Sequence, residues 1–208
     1  MSSSIIKIKP VITKEDRKIF IKLIWDIYKD DPSWVPPLIM ERMAAIDPNK
    51  NPYFEHAKVK LWIAYKDGNP VGRISAQIDE LVSINHGINT GHYGYFDCIN
   101  NKEVANALFD TACCWLRENG MIEVIGPFSL SINEETGLLV EGFDTPPMLL
   151  MGHSRPYFEN LVLGTGLKKI KDTWAYRLDI KKPILSPVLE KLINRAVDKG
   201  KVSFRPIN

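Results

Sequence analysis

The 208-residue sequence lacks several features that would assign it to a specialised class of protein. Its 27 basic and 25 acidic residues nearly cancel, so charge gives no support for a nucleic-acid or membrane-surface protein. No apolar run approaches the roughly 18 residues of a membrane span. The first ten residues, MSSSIIKIKP, lack the basic region and apolar block of a secretory signal. These absences predict a cytoplasmic protein that has neither a nucleic-acid nor a membrane partner.

Cysteine is also scarce, and its pattern argues against a disulfide framework. The three cysteines are Cys98, Cys113 and Cys114, an odd number with two adjacent, which favours a reducing compartment. Four histidines, at positions 56, 86, 92 and 153, have no zinc-type spacing. We therefore expect no metal, and we expect these histidines to be ordinary core or surface residues.

What the sequence does contain is an alternation of strand and helix patterns. Strands are predicted over Ile5–Val11, Val59–Tyr65, Val71–Asp79, Tyr93–Ile99, Ile122–Ile125, Thr173–Asp179 and Lys201–Asn208. Helices are predicted over Thr13–Asp30, Pro37–Ala45, Val104–Asn119, Tyr157–Leu163 and Ser186–Gly200, with loops over His86–Gly91 and Pro127–Pro156. The central strand–helix–strand order requires a crossover, whereas the hairpin at Asp67-Gly68 is antiparallel. We predict an α/β (α+β) fold, with a mixed, mostly antiparallel, twisted sheet flanked by helices.

The long segment after the strand Ile122–Ile125 contains the first candidate site residues. A long irregular connection inside a compact domain is usually functional or disordered, and its apolar residues argue against disorder. It leaves the carboxyl end of its strand, which is where ligands bind in parallel α/β sheets. We predict that Glu134 and Glu135 are catalytic and that Asn133 binds substrate. The alternative is a packed Ω-loop with solvated carboxylates.

The strand Tyr93–Ile99 supplies the opposite wall of the predicted cleft. Tyr93, Tyr95 and Asp97 alternate along it and are expected on one face, since strand side chains have a period of two. We therefore predict that all three contact the substrate.

The two ends of the sequence share a short pattern. Residues 202–207, VSFRPI, repeat the order apolar, any residue, apolar, basic, proline, apolar of residues 6–11, IKIKPV. A true repeat predicts one domain over residues 1–180, with residues 181–208 leading into a second unit. The alternative is that both are edge strands ending at a proline.

Several phrases together resemble a known fold. VKLWIAYKDGNPVGRISAQID, YGYFDCI, IEVIGPF and PYFENLVLGTGLKK resemble the GNAT (Gcn5-related N-acetyltransferase) superfamily. WVPPL, NPYFEHA, EVANALFDTACCWL and GPFSLSINEETGLLVEGFDTPPMLLM resemble, more narrowly, the N-terminal half of a bacterial tandem-GNAT family. That resemblance implies a second GNAT-like unit or a homodimer partner.

The resemblance implies transfer of an acyl group from acetyl-CoA or another acyl-CoA to a small-molecule amine, which attacks the thioester directly. In the superfamily, a glycine-rich loop at a helix N-terminus holds the CoA pyrophosphate. Asn100 and Ala105 occupy two positions of that motif, but Glu103 occupies its first glycine. Val162 stands where the superfamily has a tyrosine that protonates the leaving thiolate. These departures imply a degenerate copy that shapes the acceptor site.

Two other functions remain open from the sequence. One is a non-catalytic GNAT-like module that binds a ligand or pairs with another unit. The other is an aminoacyl transferase of the tandem-GNAT type, which takes its acyl group from tRNA and needs no CoA loop in this half. The near-neutral charge argues against tRNA binding.

Overall fold

The computed structural model describes residues 5–86, 89–179, 181, 186–200, 203 and 205. They divide into two units, Met1–Ile170 and Lys171–Asn208. The first unit holds a five-stranded sheet in the order β1 (Ile6–Pro10), β2 (Ala57–Lys66), β3 (Asn69–Asp79), β4 (Thr90–Cys98) and β5 (Glu123–Ile125). Strands β1 to β4 pair antiparallel, and β4 pairs with β5 in parallel. The predicted mixed, mostly antiparallel sheet is confirmed.

Helices flank this sheet much as the sequence predicts. They are α1 (Lys14–Tyr28), α2 (Ile39–Ala45), α3 (Glu80–His86), α4 (Lys102–Glu118) and α5 (Phe158–Gly164), with a 3-10 turn over Pro52–Glu55. Thr13 and Asp16 form a capping box that begins α1. The apolar stripe of α4, from Val104 through Leu108 to Leu116, is buried against the sheet.

Helix α3 was not predicted, because the sequence ELVSINH has no helical apolar stripe. The expected loop over His86–Gly91 begins at the last residue of α3, and Gly91 belongs to β4. Residues 87–88 of that prediction lie outside the described residues.

A bulge in β4 changes which side chains share a face. Arg73 lies opposite Asp97 and Ser75 opposite Gly94, so β4 has one residue more than β3 across this interval. Tyr95, at the bulge, has a φ of 45°. Because the extra residue breaks the alternation, the prediction that Tyr93, Tyr95 and Asp97 share one face is wrong.

The two tyrosines consequently belong to different clusters of the core. The Tyr93 ring packs against Phe109 of α4, with ring centroids 5.0 Å apart. The Tyr95 ring packs against Phe20 of α1, with ring centroids 5.8 Å apart. Tyr93 is therefore a core residue on the α4 side of the sheet.

The second unit contains α6 (Pro187–Asp198), which begins at the predicted N-cap, Ser186, whose hydroxyl accepts from the Leu189 amide. The predicted strand Thr173–Asp179 is wrong, because this segment pairs with none of the described strands. Its alternating side chains Trp174, Tyr176 and Leu178 are exposed. The predicted strand Lys201–Asn208, with its repeat, falls almost wholly outside the described residues.

Candidate active site

A cavity of about 120 Å³ lies beside the bulge of β4. Its walls come from α1, from the loop that follows α1, from β4 and from the irregular segment 127–154. Its polar lining residues are Tyr28, Arg42, Arg73, Tyr95, Asp97, Ser129, Glu135, His153 and Ser154. One space therefore collects cations, carboxylates, phenols and an imidazole from α1, α2, β3, β4 and the irregular segment.

The irregular segment is fixed to the sheet by a close backbone approach. The Phe128 amide donates to the carbonyl oxygen of Tyr93 at 2.8 Å. The buried side-chain amide of Gln77 donates to the carbonyl oxygens of Phe128 at 2.7 Å and of Leu130 at 3.2 Å. These bonds hold the start of the segment, and with it one wall of the cavity, against β4.

A buried ion pair forms the base of the cavity. The guanidinium of Arg73 lies 2.7 Å from Asp97 Oδ2 and also donates to the carbonyl oxygen of Phe20. The Tyr28 hydroxyl donates to Asp97 Oδ1 at 2.8 Å. Burial and the neighbouring Asp97 carboxylate raise the pKa of Tyr28 well above its ordinary value. Asp97 lines the cavity, but both of its oxygens are already engaged by protein groups, and its contact with a substrate stays a prediction.

Tyr95 presents a buried hydroxyl to this environment. The Arg42 guanidinium, which can only donate, interacts with its oxygen, but the O–H hydrogen has no acceptor among the described residues, and the side chain lines the cavity. Burial raises the pKa of this phenol to about 12, with Arg42 and Arg73 acting in the opposite direction, so it is neutral at physiological pH. A buried hydroxyl that donates no hydrogen bond costs roughly 1–3 kcal/mol. A ligand or water that accepted a hydrogen bond from Tyr95 would remove that cost.

The predicted carboxylates lie close to Tyr95 but in different environments. Glu135 lines the cavity and forms an ion pair with Arg42 of α2. Glu134 is partly buried, and burial raises its pKa although the charge of Arg42 lowers it. Asn133 is exposed, and its backbone amide donates to the Ser131 hydroxyl. Of the three predicted residues, Glu135 is the one that lines the cavity.

A carboxylate–imidazole pair on the opposite wall was not predicted. His153 Nε2 lies 3.0 Å from Asp31 Oδ2, and Arg155 lies 3.4 Å from the same oxygen. Burial alone would raise the pKa of Asp31, but the hydrogen bonds from His153 and the Ser33 amide, with the charge of Arg155, lower it overall. The other ring nitrogen, His153 Nδ1, is buried and has no partner in the described part of the chain.

The predicted CoA positions lie at the N-terminus of α4. Asn100 is exposed, and Ala105 is fully buried in the core. The Asn101 side chain caps the helix by accepting from the Val104 amide at 3.0 Å. Glu103 lies exposed in the first turn. The helix end that would face a pyrophosphate is therefore capped by the chain itself and carries a carboxylate.

The position of the superfamily tyrosine is also occupied by an apolar residue. Val162 is buried in α5. The nearby Tyr157 donates its hydroxyl to the carbonyl oxygen of Cys98 at 2.9 Å. Its phenol is thus committed to the end of β4.

Two features are absent from the described part of the chain. Among residues with described placement, no three His, Cys, Asp or Glu side chains are grouped as metal ligands would be. Nor is any helix in the described ranges long and apolar enough to cross a membrane.

The chain is similar along nearly its whole length to curated bacterial proteins about twice as long. It is 41% identical over 204 residues to Protein YghO of Escherichia coli (strain K12), covering 97% of this chain and 51% of that protein. It is 44% identical over 194 residues to a bacterial ceramide synthase of Caulobacter vibrioides (strain NA1000 / CB15N), covering 93% of this chain and 50% of that protein. No family profile matches the chain. The chain thus spans about half the length of the curated relatives it matches.

Two solved structures resemble the chain in fold. One is a tandem GNAT protein from the clavulanic acid biosynthesis pathway, without AcCoA, with a TM-score of 0.51 and 12% identity over 78% of this chain and 43% of that chain. The other is an aminoglycoside acetyltransferase from an uncultured soil metagenomic sample, in complex with sisomicin. Its TM-score is 0.51, with 13% identity over 84% of this chain and 97% of that chain.

Proposed function

Because the chain has the GNAT fold that its motifs predict, we propose that it is an N-acyltransferase polypeptide that transfers an acyl group from an acyl-CoA to an amine. The observation that carries this proposal is the cavity beside β4, with the buried Tyr95 hydroxyl and the Glu135 carboxylate in its lining. Glu135 attracts an ammonium group, and the neutral Tyr95 hydroxyl donates to an oxygen of the substrate. The amine attacks the thioester carbonyl directly, without a covalent enzyme intermediate.

The size of the cavity favours a small polar head group. An engineered protein cavity of about 150 Å³ binds benzene, so a cavity of about 120 Å³ suits a group of a few heavy atoms. Exposed apolar residues lie in the same segment as the wall residue Met151, among them Met148, Leu149 and Leu150. They offer contact for an apolar remainder of the acceptor outside the cavity.

The acceptor that combines these two properties is a long-chain amino alcohol. A ceramide is the amide of such an amine with a fatty acid, and one of the relatives bears the name bacterial ceramide synthase. A small hydrophilic amine would use the cavity but not the exposed apolar residues.

The test uses the 208-residue protein with millimolar acyl-CoA, because Glu103 is expected to weaken CoA binding. Acetyl-CoA or palmitoyl-CoA is combined with sphinganine or ethanolamine, and mass spectrometry detects the amide. We expect amide formation, more with sphinganine than with ethanolamine. Tyr95→Phe should lower the rate at least about tenfold, the scale of one lost hydrogen bond of about 1.4 kcal/mol. The matched control is Tyr65→Phe. Tyr65 lies in β2, opposite Lys7 of β1, and this variant should leave the rate unchanged.

Two outcomes would contradict the proposal. Absence of amide with every pair of substrates would reject acyl transfer by this chain. If sphinganine nevertheless bound in calorimetric titration, the non-catalytic ligand-binding module would replace it. A Tyr95→Phe rate equal to that of the unmodified protein would remove Tyr95 from the site.

A further inference from the structure

We propose that His153, oriented by Asp31, is the base that takes the proton from the ammonium group of the acceptor. This inference rests on the proposed function and assigns one step of it to the carboxylate–imidazole pair. None of the sequence motifs points to His153, which lies near the end of the irregular segment and 122 residues from Asp31.

The geometry leaves one ring nitrogen of His153 available. Asp31 Oδ2 can only accept, so the 3.0 Å contact places the imidazole hydrogen on Nε2. In that tautomer Nδ1 carries the lone pair and is an acceptor. Nδ1 is buried, and no described residue donates to it. His153 lines the cavity, so a donor in the cavity that reached Nδ1 would satisfy this atom.

A second unsatisfied atom belongs to the same cavity. The Tyr95 hydroxyl is buried on the β4 wall and its O–H hydrogen has no described acceptor, although the Arg42 guanidinium interacts with its oxygen. His153 comes from the wall beside α1. Buried polar groups without a partner are uncommon in folded proteins, and an unused donor and an unused acceptor around one small cavity favour a polar ligand there. An amine that also carries an oxygen supplies a donor for Nδ1 and an acceptor for the phenol.

The carboxylate predicted from the sequence is less suited to this step. Glu135 is paired with the Arg42 guanidinium, so taking a proton would break an ion pair inside the cavity. Asp97 is held by Arg73 and Tyr28. His153 is held by Asp31 through Nε2 and has no described partner at Nδ1, which is the arrangement of a positioned base.

The proton balance of the step is complete. The ammonium gives one proton to His153 Nδ1, and its nitrogen lone pair then attacks the thioester carbonyl carbon. The C–N bond forms and the C–S bond breaks, and the thiolate takes the second proton lost by the nitrogen. His153 returns its proton to water, so the net products are the amide, the thiol and one proton.

Several charged groups lie around His153. Asp31 contacts the imidazole ring and Arg155 contacts Asp31. The Tyr28 hydroxyl lies 3.1 Å from the carbonyl oxygen of His153. The other charged residues of the cavity are Arg42, Arg73, Asp97 and Glu135. Any pH profile therefore belongs to this group of residues together, and the test compares whole profiles.

His153→Gln separates the base from its structural contact. The glutamine amide nitrogen occupies about the position of Nε2, so it keeps the donor to Asp31 but has no basic nitrogen. We expect kcat to fall at least about 100-fold, the lower range for general base catalysis, with KM for the amine changed less than about threefold. The decrease in rate toward acidic pH that a histidine base causes should disappear. Asp31→Asn, which removes the charge that orients the ring, should give a smaller loss and a displaced pH profile.

The matched control is His56, a second histidine paired with a carboxylate. His56 Nδ1 lies 3.0 Å from Asp79 Oδ1, and His56 does not line the cavity. His56→Gln should leave both kcat and the pH profile unchanged. Circular dichroism and thermal unfolding of each variant check that it is folded.

The outcomes separate this inference from the proposed function. If the unmodified protein forms the amide and His153→Gln forms it at the same rate with the same pH profile, the inference is wrong and the function stands. If the unmodified protein forms no amide, the proposed function fails and the inference falls with it. If His153→Gln loses activity but keeps the shape of the pH profile, His153 is structural and the inference is again overturned.

Discussion

Gly94 lies where β4 and the irregular segment approach most closely. A Cβ atom at this position would overlap the carbonyl oxygen of Phe128. That carbonyl cannot simply move away, because Gln77 donates to it at 2.7 Å and the Phe128 amide donates to Tyr93. The glycine is thus required by the contact that forms one cavity wall.

We expect Gly94→Ala to lower the free energy of unfolding by about 3 kcal/mol, the upper range for forcing one methyl group into a packed interior. The matched control is Gly164→Ala at the end of α5, where the new Cβ would meet only Lys102 Cε at 3.7 Å. The control should be neutral or gain about 0.5–1 kcal/mol, since alanine favours helix over glycine. Urea unfolding measures both, and a loss below about 0.5 kcal/mol for Gly94→Ala would contradict the close approach.

Asp31 should contribute to stability in a way that depends on pH. Its pKa in the folded protein is below the ordinary value of 3.8, so its charged form is favoured by folding. That contribution is present above the unfolded pKa and is lost as pH falls through the folded pKa. We expect Asp31→Asn to be less stable than the unmodified protein at pH 6, with the difference shrinking below about pH 4.

The neighbouring Asp30, which is exposed, provides the control for this measurement. Asp30→Asn should show no such narrowing between pH 6 and pH 3 in denaturant unfolding. An Asp31→Asn difference that stays constant over this range would mean that the carboxylate is not stabilised by His153 and Arg155.

Individual site residues were only partly predictable from the sequence. Glu135 follows a strand directly enough for topology to place it at the cavity. The displacement of Tyr93 from Tyr95 was not predictable, because a bulge depends on how β4 pairs with β3. His153 and Asp31 come together only in the tertiary fold, and the sequence next to either residue does not indicate the contact.

At the scale of elements, α4 combines a well-formed core face with an unfavourable anion site. Glu103 in the first turn stabilises the helix through its dipole by roughly 0.3–1 kcal/mol. The same carboxylate would repel a pyrophosphate placed at this helix end. We therefore expect acetyl-CoA to bind the chain weakly.

Glu103→Gln should lower the dissociation constant for acetyl-CoA at least about threefold, while reducing stability by less than about 1 kcal/mol. Calorimetric titration measures the binding. Glu118→Gln, at the opposite end of the same helix, is the control and should leave the dissociation constant for acetyl-CoA unchanged. Tight binding by the unmodified chain, or no gain in the variant, would show that the phosphates bind away from this helix end.

Elements were predictable where one face repeats many times. Helix α4 carries buried apolar residues along its whole length, so its period is unmistakable. Helix α3 has two turns, and its start is supported by a hydrogen bond from the Leu81 amide to Asp79, the last residue of β3. The segment Thr173–Asp179 has a strand pattern but pairs with none of the described strands, and alternation alone does not form a strand.

At the scale of the whole molecule, the two units differ in burial. The first unit contains both buried apolar clusters. In residues 171–208, every described side chain is exposed or only partly buried. The first unit therefore contains the hydrophobic core on which stability depends.

A chain ending at Ile170 should unfold cooperatively, with a free energy of unfolding within about 1 kcal/mol of the full chain, because little apolar area is removed from water in the second unit. Denaturant unfolding followed by tryptophan fluorescence tests this. Because the shorter chain lacks Trp174, far-ultraviolet circular dichroism is recorded as a second measure of unfolding for both chains. A decrease above about 3 kcal/mol would show that the second unit supports the fold. The domain boundary at residue 180 remains a prediction.

The composition of β1 has a consequence for how the molecule behaves at high concentration. β1 is an outer strand of the described sheet, and one row of its backbone groups pairs with none of the described strands. Lys7 and Lys9 are exposed on it, and Pro10 has no amide hydrogen to offer. Charge and proline are the means by which natural edge strands resist pairing between molecules. The residues that make this strand look unremarkable thus protect the protein from aggregation.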